Sequence, residues 1–384
     1  MNILGLIVEY NPLHNGHVHH IKESKKLVHP DVTIAVMSGH FTQRGEPTCT
    51  TKWNRTELAL ANGIDLIIEL PYAYSNQSAD LFATGAVSIL NHLFATHLVF
   101  GSEHGDINTL ITLADVMDHA DIQEKVKKGL TQGLSLPTAY AQANPALTGA
   151  NNTLGIQYIR AIQKMRAPIT SFTIKRYASD YHDRQPTHPH LTSATAIRQM
   201  MNEDIDYSPY VPLPINDPHV TLQNWHQHYK FLRHKLLTKS PQELEKIHDM
   251  VEGIENRLAS AAKIADHFLD FMRTVETKRY TQTRIQRICT NILTETTKAD
   301  IASWQVQKGV PYIRPLGFNK KGSAYLKQIK EKIEIPIYST FKKDAHPMLK
   351  HEQKVTAAYA SVYEARYATE VMKKEYANKP IIKT

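Results

Sequence analysis

The run Ile3 to Val8 is almost wholly apolar and ends in turn residues, the pattern of a strand buried on both faces of a parallel sheet. Further strands are expected at Val32 to Met37, at Asp65 to Leu70 with Leu66-Ile67-Ile68 as its apolar run, at His97 to Phe100 and at Thr170 to Lys175. Between them the period changes to that of helices. Val18, Ile21 and Val28 share one face after His17, Lys52 to Asn62 is stopped by Gly63, and Ala79 to Leu93 is a long apolar helix. Asp106 to Lys128 is expected as one amphipathic helix covering the sheet, and Ile156 to Lys164 as another helix. Strands alternating with helices predict an α/β fold with a parallel, Rossmann-like sheet.

The pattern then shifts. Pro209, Pro212, Pro214 and Pro218 make Tyr207 to Pro218 a stiff, extended linker. Beyond it helical spacing dominates, over Leu222 to Leu237, Pro241 to Leu258, Ala259 to Thr274 and Gln282 to Thr296. Val310 to Phe318 and Ile335 to Thr340 are expected as strands around a helix over Lys321 to Lys332, with a final helix from about His351 to Ala377. A chain of 384 residues is long for one core. We therefore expect two domains, 1–205 with the parallel sheet and 206–384 mostly helical.

Chemistry enters at the end of the first strand. Asn11-Pro12 breaks it, and His14-Asn15-Gly16-His17 opens the next helix. Gly16 lets the backbone approach a ligand, while the free N–H groups and positive dipole end of the helix favour an anion there. Imidazoles that donate to phosphate oxygens act on the charge that builds at phosphorus under attack. No Gly-x-x-x-x-Gly-Lys-Ser/Thr string is present, which excludes the usual P-loop. Surface histidines or two zinc ligands one helical turn apart are the alternative readings, but His19 and His20 point to other sides of the helix from His17, and no Cys or acidic cluster accompanies them. The string resembles the His-x-Gly-His signature of nucleotidyltransferases and class I aminoacyl-tRNA synthetases.

Further candidates lie at strand ends, where open α/β sheets bind ligands. Arg44, in the loop after the second strand, reads as a phosphate contact or as an ordinary surface arginine. Gly101 reads as a close backbone approach or as a turn glycine, and Asn151 or Asn152 as a helix cap or an amide for ribose or base. Arg176-Tyr177 arrives at the same edge. Ser193 suits a helix N-cap, with Thr195 behind it and Arg198 about a turn and a half along, so hydroxyls, N–H groups and a guanidinium could converge on phosphates. Ser193 to Arg198 resembles the Ser-Thr-x-x-Arg motif that closes the triphosphate site in nucleotidyltransferases.

Charge sharpens the division. Residues 1–204 carry 16 Lys and Arg against 18 Asp and Glu, whereas 205–384 carry 29 against 19, so the overall +8 resides in the second half. A basic domain beside a near-neutral one points to a polyanion, with nucleic acid first in line and a solvated basic surface as the plain alternative. Cys49 and Cys289 are far apart and suit reduced thiols; neither is given a catalytic role. With no secretory segment and no apolar stretch of membrane-spanning length, the expected location is the cytoplasm.

Several strings together make the likeness closer. Gly5 to Pro12 with His-Asn-Gly-His, Met37-Ser38-Gly39 with Gln43 to Pro47, Ile68 to Tyr72, Phe100 to Glu103, Asn151-Asn152, Ser179 to Asp183, Ser193-Ala194-Thr195 and Arg314 to Phe318 resemble the bacterial tRNA(Met) cytidine acetate ligase family. The likeness covers nearly the whole chain and is densest over residues 1–200; Ala150 departs from it, where Pro is expected. The resemblance implies that ATP and acetate give acetyl-adenylate and pyrophosphate, and that the acetyl group passes to the wobble cytidine of elongator tRNA(Met), forming N4-acetylcytidine. It implies a nucleotide loop made of Ile7, Val8, Glu9, Tyr10, Asn11, Pro12, Leu13, His14, Asn15, Gly16, His17, Val18, His19 and His20, with further ATP contacts at Gly101, Asn152, Arg176 and Tyr177. On that basis His14 and His17, with Lys22 or Lys25, act at the α-phosphate; Ser193, Thr195 and Arg198 hold the β- and γ-phosphates; and Mg²⁺ offsets their charge. No protein-held metal site is expected. A small-molecule nucleotidyltransferase that adds AMP or CMP to a phosphorylated metabolite, and an RNA-binding protein with a degenerate nucleotide fold, are the other readings.

Overall fold

The computed structural model describes residues 1–176, 190–212, 223–251, 253–342 and 344–384. Seven strands make one sheet in the order β5-β4-β1-β2-β3-β6-β7. They are β1 (Ile3–Val8), β2 (Val32–Ser38), β3 (Leu66–Leu70), β4 (His97–Ser102), β5 (Thr170–Lys175), β6 (Pro315–Asn319) and β7 (Ile381–Lys383). The first five run parallel; β6 is antiparallel to β3, and β7 is parallel to β6.

Helices cover both faces, which is why the central strands are mostly apolar. On one face α1 (Asn15–Val28) and α2 (Lys52–Ala61) pack on Leu4, Leu6, Ala35 and Ile67. On the other, the Ala79–His92 and Ala150–Met165 helices pack on Ile3, Ile34, Val36 and Ile68. The order of parallel strands reverses direction at β1 and β4, so the crevice above their carboxyl ends is the ligand position of such sheets.

The second half contributes two bodies. A helical core built from Trp225–Thr238, Ile254–Ile264, Phe268–Val275 and Gln282–Thr294 closes on itself, with Trp225 stacked on Phe268 at 4.5 Å between ring centres. Residues beyond 300 instead return to the first sheet as β6, β7 and the core residues Ile301, Val310, Tyr312 and Leu349.

Several expected elements differ. Asp106 to Lys128 is two helices, Ile107–Val116 and Ala120–Thr131, because the chain turns at Met117 to His119. Pro241 to Leu258 is a short Pro241–Glu245 helix followed by the start of Ile254–Ile264, separated by Asp249 and Gly253 with positive φ. The final helix is Pro347–Ala360 and Ala365–Ala377. Ile335 to Thr340 makes only a bridge, Ile337 with Ile313, and Val310 to Phe318 shortens to β6. The helices Leu136–Ala143 and Lys298–Trp304 and strand β7 were not foreseen. Part of the linker, 213–222, lies outside the described residues, as do Tyr177 and Ser179 to Asp183.

Candidate active site

The site is built on the turn between β1 and α1. His14 is the N-cap of α1: its Nδ1 accepts from Gly16 N at 3.0 Å, while His17 Nδ1 accepts from His14 N at 3.3 Å. The pair is an imidazole version of a capping box. A Cβ on Gly16 would lie 2.8 Å from the His14 ring, so this turn needs glycine. The two rings stack at 3.8 Å between centres, tilted by 32°.

Electrostatics fix the protonation of these rings. Burial, reinforced by Arg176 and Arg198, holds His14 down to about 3; burial and His14 hold His17 well below its ordinary value; burial and Arg176 hold His20 at about 4. Near neutral pH the imidazoles of His14 and His17 are therefore uncharged. Since each Nδ1 accepts from a backbone N–H, each proton sits on Nε2. Two Nε2–H donors stand at the positive end of α1, with two guanidiniums near enough to shift them.

The rest of the loop is structural to differing degrees. Ile7 and Val8 lie in β1, and Leu13 and Val18 join the core under α1. Glu9 accepts from Gln43 N at 2.7 Å and Ser38 Oγ at 3.3 Å, and burial raises its pKa against those bonds and Arg44. It thus ties the loop after β2 to the end of β1. Tyr10 is buried with φ +51°, its ring edge-on to His17 at 5.1 Å. Asn11 Oδ1 accepts from Cys49 N at 2.7 Å, and the Asn11–Pro12 peptide is cis. His19 is exposed and lines a groove with Glu23 and Thr173 on the outer side of α1, away from the His14–His17 pair.

Asn15 brings in the distant segment, donating to the carbonyls of His190 (3.1 Å) and Pro209 (2.9 Å). That places the Ala194–Asn202 helix beside the first motif. Ser193 caps it, Oγ accepting from Ala196 N at 3.1 Å, which leaves its own O–H to donate. Arg198 donates to Asn11 O at 2.8 Å, pairs with Glu46 at 3.0 Å and reaches Thr195 Oγ1 at 3.4 Å. The two strings separated by some 180 residues thus meet over one crevice.

At the β4 end Gly101 lies under Arg176, whose Cγ would be 3.2 Å from an added Cβ. Arg176 donates to Asn151 Oδ1 at 3.2 Å. Glu103 accepts from Asn151 N and Asn152 N, while Asn152 Oδ1 accepts from Glu103 N and His104 N. Asn152 is thus a buried clasp, and Asn151 is the amide beside the guanidinium. Lys25 differs from expectation: its ammonium donates to Gly63 O past the end of α2, and Lys22 is exposed. Among the described residues no group of three or more His, Cys, Asp or Glu is placed to hold a metal ion.

Sequence reasoning missed the support beneath the loop. Arg55 is fully buried and donates to the carbonyls of Glu9 (2.6 Å), Ser38 (3.0 Å) and Gly39, binding the ends of β1 and β2 together. Lys52, Glu69, Arg314 and Glu375 form a buried ion network that joins α2 and β3 to the C-terminal segment. Gly45, with φ +72°, accepts at its carbonyl from Trp225 Nε1 (3.0 Å) and Thr290 Oγ1 (2.8 Å). A Cβ there would fall 2.4 Å from Arg287 N, so only glycine lets the loop after β2 seat on the helical core.

Comparison with known proteins agrees with this geometry. The family model described as HIGH Nucleotidyl Transferase matches residues 1–375. The tRNA(Met) cytidine acetate ligases of Anoxybacillus flavithermus and Geobacillus sp. are each 40% identical, over 99% and 100% of this chain and all of theirs. Among solved structures, Thermotoga maritima TmcAL in its apo form superposes with a TM-score of 0.91, and its complex with alpha-thio ATP with 0.90. Both are 31% identical and cover 100% of this chain and 99% of theirs. The chain is an ATP-using ligase with a nucleotidyltransferase fold, and it belongs to the tRNA(Met) cytidine acetate ligase family.

Proposed function

We propose that the protein condenses ATP with acetate and transfers the acetyl group to the wobble cytidine of elongator tRNA(Met). An acetate oxygen attacks the α-phosphorus in line, the bond to the bridging oxygen breaks, and pyrophosphate leaves. The cytidine N4 amine then attacks the acetyl carbonyl, AMP departs with the bonding pair, and the nitrogen loses a proton. The carrying observation is the pair of neutral imidazoles presenting Nε2–H at the N-terminus of α1. Donors fixed in place cost no reorganisation as charge develops on the α-phosphate.

In this reading His14 and His17 act at the α-phosphate. Ser193, Thr195 and Arg198 hold the β- and γ-phosphates, Gly101 and Arg176 border the nucleoside, and Asn152 holds the turn that carries Asn151, the partner of Arg176; Tyr177, outside the described residues, is a further ATP contact. Residues 1–205 carry the catalysis and 206–384 the main tRNA-binding surface. Mg²⁺ bound with ATP would offset the charge of the triphosphate held by Ser193, Thr195 and Arg198. No described helix is long and apolar enough to cross a membrane; a tRNA substrate is what places the activity in the cytoplasm in this reading.

Incubation with ATP, labelled acetate and bulk tRNA, followed by digestion to nucleosides, tests the reading. The expected product is labelled N4-acetylcytidine from tRNA(Met) only. Adenylate or cytidylate joined to a small metabolite without tRNA would refute it.

A further inference from the structure

The Trp225–Thr238 helix begins beside the loop after β2 and the end of the Ala194–Asn202 helix. Trp225 is bonded to Gly45 of the loop that carries Glu46, and Asn224 Nδ2 donates to Asn202 Oδ1 at the end of the Arg198 helix (2.8 Å). From there the helix runs outward with its apolar side, Trp225, Tyr229, Leu232 and Leu236, in the helical core.

Its other side borders a groove of about 470 Å³ against the turn before the Phe268–Val275 helix. Among the described residues that line it, His226, Lys230, Arg233, His234 and His267 face a single carboxylate, Asp266. His226 and His267 stack across it, 5.8 Å between centres. Arg233 is held in place by donating to Ala262 O at 2.9 Å. Residues 226, 230 and 234 are one turn apart, roughly 6 Å along the axis, close to the separation of neighbouring phosphates on one nucleic-acid strand.

We propose that this groove binds the sugar-phosphate backbone of tRNA flanking the nucleotide in the crevice. The inference rests on the functional reading above and extends it to a named surface. Charge selects the ligand: N–H donors in a row, with one opposing acid, suit a chain of phosphodiesters. Placement fits that ligand, because the helix starts beside the loop that carries Glu46, the partner of Arg198.

The test is binding of unmodified tRNA to the full-length chain at several salt concentrations, comparing the native protein with Lys230→Glu/His234→Glu. Both side chains are exposed, and thermal melting verifies that the variant is folded. The expected result is at least tenfold weaker binding, with the log–log salt slope shallower by about one. Lys127→Glu/Lys128→Glu, exposed on the Ala120–Thr131 helix, is expected to bind within twofold of the native protein. Lys230→Ala alone should weaken binding in the same direction by less. Native-like affinity and slope in the groove variant, as for a groove that serves an acidic protein, would overturn the proposal, as would an equal loss in the control. Acetate-dependent exchange of pyrophosphate into ATP by the native protein, without tRNA, separately tests the functional reading.

Discussion

Glu103 and Asn152 exchange hydrogen bonds, Glu103 N donating to Asn152 Oδ1 at 3.0 Å and Asn152 N to Glu103 Oε2 at 2.7 Å. Asn152 Nδ2 is also used, on Thr148 O at 2.9 Å. The carboxylate caps the Ala150–Met165 helix and holds Asn151, the partner of Arg176. Asn152→Ala should therefore cost about 1–3 kcal/mol, from buried groups left unpaired, and raise the KM for ATP as Arg176 loses its support. Thermal unfolding and pyrophosphate exchange read the two effects; unchanged values in both would show the clasp to be idle.

In the proposed mechanism His17 offers an Nε2–H to the charge that develops on the α-phosphate. His17→Ala should lower acetate-dependent pyrophosphate exchange by roughly 10²- to 10³-fold. KM for ATP should change far less. Undiminished exchange would remove His17 from the catalytic set.

Buried neutral histidines make the fold sensitive to acid. His14 and His228 are held at about 3, and His20 and His351 at about 4, chiefly by burial. Between their folded values and the unfolded value near 6.5, the unfolded chain binds more protons, so stability falls as pH falls through that window. Each such group contributes up to about 1.4 kcal/mol per pH unit. Denaturant midpoints between pH 7 and pH 4 should decline steeply. Replacing His228 by Asn should flatten the decline, and a profile unchanged by that replacement would contradict the assignment.

Arg314 lies between Glu69, at 2.8 Å, and Glu375 inside the protein. Arg314→Met would leave two buried carboxylates with Lys52 alone. The expected loss is about 3–5 kcal/mol, measured by denaturant unfolding, and a Glu69→Gln/Arg314→Met double variant should recover part of it. A loss below 1 kcal/mol would mean that water already reaches the network.

The inner parallel strands are legible because burial on both faces leaves a mostly apolar signature; the half-exposed edge strand β5 matches its expected bounds without one. The convergence of His14, His17, Ser193 and Arg198 was legible as two separate strings. What joins them was not. The amide of Asn15 on two carbonyls, or Arg55 on three, depends on chain segments whose nearness no local pattern encodes. The split of the last helix at Ser361 to Glu364 was hidden for a simpler reason: that stretch has no Gly or Pro to mark a break. Strand β7 is three residues long, too short for a period to register.

Pairing of β6 with β3 brings together residues some 245 positions apart, and Glu69 meets Arg314 only through it. Without that late segment the flank of the sheet would stand open to water and the Glu69 carboxylate would be hydrated. The far end of the chain is thus the latch of the sheet that carries His14 and His17.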